Sequence, residues 1–162
     1  MNTGLKIVAP CFLTTLALMI GSQTAIAKDV CIPLELVGGQ GSSVTKTVSQ
    51  PTIPSPLPGI DITKDNWNTD WAVPTLTKFD YFQATITSEG GTFNIAFYVK
   101  YNDQTAQKFF DEKGVEITPD KPLVIKATPG PKDEPYQVNL FNGGLDRIGN
   151  TFTANVVGCT KK

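Results

Sequence analysis

The sequence predicts an all-β fold, a single-domain antiparallel β-sandwich of Ig-like or jelly-roll-like type, with a small β-barrel as the alternative. Three observations carry this. Apolar residues recur with a period of two along most of the chain. Clusters of Gly, Pro, Asn and Asp break these runs at short, regular intervals. One cysteine stands near each end of the expected mature polypeptide. A period of two marks a strand with one buried face, and many short strands between turn clusters indicate two packed sheets.

Residues 1–27 read as a Sec-type signal peptide. Lys6 lies in a short leading segment, "IVAPCFLTTLALMIG" is apolar, and Ala25-Ile26-Ala27 supplies the small-x-small cleavage pattern. The apolar run is interrupted by Pro10 and falls short of the roughly 20 residues a membrane span needs. Cleavage after Ala27 is expected, leaving residues 28–162 as one domain with no membrane insertion, in the periplasm, a lumen or the extracellular medium. Cys11 departs with the leader, so Cys31 and Cys159 remain. In an oxidising compartment they are expected to form one disulfide clasping the two ends. Closing so long a loop is worth up to about 4–5 kcal/mol in the chain-entropy model.

The strands follow in order. "CIPLELV" (31–37) alternates through Ile32, Leu34 and Leu36, and "SVTKTVS" (43–49) is a weaker strand broken by Lys46. "PTIPSPLPG" (51–59) is expected to be a Pro-rich crossover along an edge of the fold, where missing N–H groups do no harm. "FDYFQATITS" (79–88) and "TFNIAFYVKY" (92–101) flank Ser88-Glu89-Gly90-Gly91 and are expected to form a hairpin. Its coherent register pairs Phe82 with Phe97 and Ile86 with Phe93, and sets Tyr81 opposite Tyr98 on the outer face. Residues 103–118 fit a short helix capped by Asp103, or a second hairpin turning at Glu112-Lys113-Gly114, which is the preferred reading. "PLVIKA" (122–127), "PYQVNLF" (135–141) and "TFTANVV" (151–157) complete the set.

The composition excludes several chemistries. There is no histidine, which removes the commonest general base and the commonest metal ligand. The two cysteines are expected to be bridged, and no serine lies in a Gly-x-Ser-x-Gly setting. Phosphate-cradling glycine loops are missing as well. The paired acids Asp111-Glu112 and Asp133-Glu134 fall in expected turns, where carboxylates are ordinary solvated groups. No catalysis is expected. A net charge of −1 without any basic stripe argues against nucleic acid.

The two tryptophans, Trp67 and Trp71, lie in "DNWNTDW" (65–71). In a strand their indoles would stand about 13 Å apart, whereas in a helical turn they would be about 6 Å apart. The Asx and Thr content favours a compact turn with at least one indole packed inward. The functional reading is a ligand platform. Trp67, Trp71, Tyr81 and Tyr98 would stack on sugar faces, while Asp65, Asn68 and Asp70 would bond the hydroxyls. Asp61, Asp65, Asn66, Asn68 and Asp70 also offer hard oxygens suited to calcium, but their order departs from the known loop pattern. The calcium signal is weak, and no cofactor is expected. The chain therefore reads as an exported, non-catalytic module binding a glycan or another extracytoplasmic polymer. The alternative is an accessory subunit of an envelope or matrix assembly working through protein–protein contacts.

Overall fold

A computed structural model describes Met1 and residues 28–50, 53–54, 61–62, 66–131 and 134–162. The expected leader and most of the Pro-rich segment lie outside the described residues, as does Asp65. Among the described residues twelve strands are numbered: β1 (Val30–Pro33), β2 (Glu35–Leu36), β3 (Ser43–Thr47), β4 (Ile53–Pro54), β5 (Asp61–Ile62), β6 (Asn68–Ala72), β7 (Tyr81–Thr87), β8 (Thr92–Tyr101), β9 (Ala106–Glu116), β10 (Leu123–Ala127), β11 (Pro135–Gly143) and β12 (Thr151–Thr160).

Two five-stranded antiparallel sheets enclose the core. In the first, β12 is bordered on one side by β1 and β3, end to end, and on the other by β7, with β10 outermost. The second runs β2-β6-β11-β8-β9. The predicted alternation is what fills the space between them. Phe82, Ala84 and Ile86 of β7 and Phe152, Ala154 and Val156 of β12 face Phe93, Phe97 and Val99 of β8 and Val138 and Leu140 of β11. Phe93 and Phe152 meet edge to face, with centroids 6.0 Å apart. The sandwich is thus as predicted, and so is its clasp. Cys31 and Cys159 are directly opposed in the β1–β12 ladder and are joined by a disulfide.

The stretch 31–37 is divided between the sheets. Leu34 is buried at the step from β1 to β2 and donates its N–H to the Val156 carbonyl. The expected hairpin of 79–101 does not form. β7 pairs with β12 and β10, β8 pairs with β11 and β9, and residues 88–91 carry the chain from one sheet to the other. A hairpin and a crossing arch both turn the same side chains inward, so alternation alone does not separate them. Buried Ser88 favours the arch: its hydroxyl donates to the Thr151 carbonyl at 2.7 Å and accepts from Gly90 N–H. Gly90 and Gly91, at φ 143° and 141°, take the bend.

Residues 103–118 form neither a helix nor their own hairpin. β9 is one long edge strand paired with β8. Asp103 caps the connecting turn by accepting from the Thr105 N–H and hydroxyl. Gly114, at φ 67°, is a bulge where the register slips between Phe93 and Ile95, and its N–H donates to Asn94 Oδ1. A left-handed glycine suits a bulge as well as a turn. Part of the Pro-rich segment pairs as β4 with β5. Among the described residues no helix is long and apolar enough to cross a membrane.

Candidate binding surface

The outward side chains of β6, β11, β8 and β9 form a grid, because each neighbouring pair is antiparallel, with one slip of the β8–β9 register between Phe97 and Tyr98. One row reads Asn68, Phe141, Ala96, Asp111. The next reads Asp70, Asn139, Tyr98, Lys108, and the third Ala72, Gln137, Lys100, Ala106. The intervening residues, among them Trp71, Val138, Leu140, Phe97 and Val99, face the core.

Trp67 stands at the end of this grid. It precedes β6 and leaves the strand's alternation, so its indole lies on the outer side over Gly143. A Cβ at residue 143 would come within 2.2 Å of the indole ring. The ring meets Phe141 edge to face at 5.9 Å, and its Nε1 donates to the Ser49 carbonyl at 3.0 Å. Its backbone is held from the other sheet. Lys46 Nζ reaches across from β3 to the carbonyls of Asn66 and Asn68 and to Thr69 Oγ1. Asn66 Nδ2 donates to the Thr47 carbonyl. Burial lowers the Lys46 pKa, and the Asp70 charge partly restores it.

Asp70 is the polar centre. Its Oδ1 accepts from Lys100 Nζ at 3.0 Å and from Asn139 Nδ2 at 2.9 Å. Burial pushes its pKa up, but bonds from Asn139, Lys100 and Gln137 together with the lysine charge outweigh that, and the carboxyl sits below the usual range. Asp70 is therefore ionised at neutral pH. Tyr98 lies under Lys108, whose Nζ is 5.9 Å from the ring centre and also pairs with Asp111.

Four of the expected ligand residues, Trp67, Asn68, Asp70 and Tyr98, are thus brought to one face. Two are not. Trp71 is 0% exposed, and its Nε1 donates to the Ser42 carbonyl at 2.9 Å, so it belongs to the core. Tyr81 lies on the outer side of the opposite sheet and is 7% exposed. Its hydroxyl donates to Asp29 Oδ2, and Lys126 Nζ stands 5.0 Å from its ring. Both corrections follow from the β7–β8 arch and from Trp67 lying outside the ladder.

Phe141, Asn139 and Lys100 were missed by sequence reasoning. Phe141 did leave a signal, being an aromatic residue in the odd-numbered, polar register of 135–141. Tyr136 breaks the even register in turn, because the β11–β8 ladder slips between Pro135 and Gln137. Among the described residues no group of three or more acids, histidines or cysteines is placed to hold a metal. Of two depressions of about 400 and 370 Å³, the first touches the grid only at its corner residue Ala106 and the second lies on the other sheet. One is at the β8–β9 turn around Asp103 and Glu134, and the other is on the outer side of the first sheet around Thr45 and Thr153.

No protein-family model matches the chain, and no curated protein does either. Solved structures of similar shape include the xylan-binding module CBM15 (14% identity, TM-score 0.47, covering 83% of this chain and 97% of that one). A family 29 carbohydrate-binding module is also similar (10% identity, TM-score 0.43, covering 83% and 90%). Likeness at this level carries no argument about what this chain binds.

Proposed function

We propose that the outer face of the β6-β11-β8-β9 sheet binds polysaccharide and that the chain works, after export, as a non-catalytic binding module. The observation that supports it is the grid itself: Trp67, Phe141 and Tyr98 share one surface with Asn68, Asp70 and Lys100, while buried Asn139 braces Asp70 from below. A pyranose presents an apolar face of C–H groups and a rim of hydroxyls. Aromatic rings complement the face, and carboxylate, amide and ammonium groups complement the rim. The Trp67 ring is already held in place by Ser49 and Gly143, so little ordering entropy remains to oppose binding there. Export is supported by the leader pattern of residues 1–27.

Electrophoresis of the protein through gels containing soluble glycans is the test. Retardation by at least one glycan is expected. Tyr98→Ala should weaken it at least tenfold, about 1.4 kcal/mol, with the thermal midpoint unchanged. Trp67→Ala should weaken it similarly. Free migration of the unsubstituted protein through every gel would remove the proposal.

A further inference from the structure

We infer, on the premise that this face binds polysaccharide, that its ligand is an uncharged polymer engaged along internal residues rather than an acidic one or a chain end. The charges on the grid are balanced within it. Lys100 is bonded to Asp70, and Lys108 is bonded to Asp111. The residues between them, Asn68, Gln137 and Asn139, are neutral amides. Behind the aromatic platform, Lys46 is engaged by three oxygens of residues 66, 68 and 69, and Glu35 stands beyond Ala72 at the grid's end.

A polymer carrying a carboxylate on each sugar would approach Lys100 and Asp70 at nearly the same distance. The attraction of one is then offset by the repulsion of the other, while both charges lose water. Sugar hydroxyls meet no such penalty. They donate to the Asp70 carboxylate and accept from Lys100, and bonds to charged groups are the stronger kind.

The shape of the grid points to internal binding. Exposed Ala72 and Ala106 stand at the two ends of one row, so that row is low at both edges. Phe141 and Tyr98 are diagonal neighbours, about 7–8 Å apart, and Trp67 extends the line by a further 5.9 Å from Phe141. That line is longer than one pyranose ring, so it spans more than one sugar of a chain.

The experiment compares one backbone in two charge states, hydroxyethyl cellulose against carboxymethyl cellulose, and adds xylan and mannan as further neutral polymers and polygalacturonate as a further acidic one. The expected result is binding to a neutral polymer, at least tenfold weaker binding to its carboxylated form, and competition by its hexasaccharide but not by its monosaccharide. Asp70→Asn keeps the shape and exposes the Lys100 charge. It should raise affinity for the carboxylated polymer several-fold, and added salt should abolish that gain. Preference of the unsubstituted protein for the acidic polymers, or competition by the monosaccharide, overturns the inference while leaving polysaccharide binding intact. Retardation by no polymer removes both.

Discussion

Trp71 sits inside the sandwich with its one polar atom bonded to Ser42, whereas Trp67, four residues earlier, lies half-buried on the outside against Gly143. The two should answer truncation differently. Trp71→Ala leaves a cavity between the sheets and is expected to cost about 3–5 kcal/mol. Trp67→Ala removes partly exposed surface and one bond, about 1–2 kcal/mol. Urea unfolding of both variants measures the contrast, and equal costs would contradict the assignment of one to the core and the other to the surface. The run "DNWNTDW" predicts a compact turn with at least one indole inward; an indole does turn inward, but residues 68–72 are strand β6, and the sequence does not say which indole it is. Its period-four spacing fits either reading, and the deciding fact is that β6 begins at Asn68, one residue past Trp67. Phe141 was harder to find still. Nothing local says that an outward phenylalanine on β11 will meet a tryptophan delivered from before β6.

Strands were legible where alternation was clean, as in β7, β8, β10 and β12, because a half-buried sheet admits one register of faces. Their partners were not legible. Residues 88–91 look like a hairpin loop and serve as an arch, since the choice depends on Ser88 reaching Thr151, a residue 63 positions away. Lys46 shows the same limit. As a charge within the weak strand "SVTKTVS" it reads as a blemish, yet it is one of the ties between the sheets, bonded to Asn66, Asn68 and Thr69. Lys46→Met keeps the stem and removes the donors. The segment carrying Trp67 should loosen, shown by greater access of acrylamide to one of the two indoles, and glycan affinity should fall several-fold. Lys46→Arg should recover most of both. Unchanged quenching in Lys46→Met would mean that Ser49 and Gly143 hold Trp67 without help.

At the scale of the molecule, the ladders of both sheets join segments distant in sequence, β8–β9 apart. The ends are brought together in the β1–β12 ladder and fastened by Cys31–Cys159, 128 residues apart. That proximity was readable in advance, because a cysteine near each end has no other partner in an oxidising compartment. The order of strands between the ends was not, since many orders satisfy one clasp. Such a topology folds slowly, in milliseconds to seconds, as chain entropy must be spent before distant strands reward it. The disulfide spends much of it beforehand, worth up to about 5 kcal/mol for a loop of this length. If that stabilisation resides in the unfolded chain, the paired substitution Cys31→Ser with Cys159→Ser should slow refolding by an order of magnitude or more and leave unfolding nearly unchanged. Stopped-flow fluorescence of the core indole, Trp71, against urea separates the two arms. Faster unfolding with unaltered refolding would show instead that β1 docks on β12 only after the barrier, and that the clasp holds the finished fold rather than helping to make it.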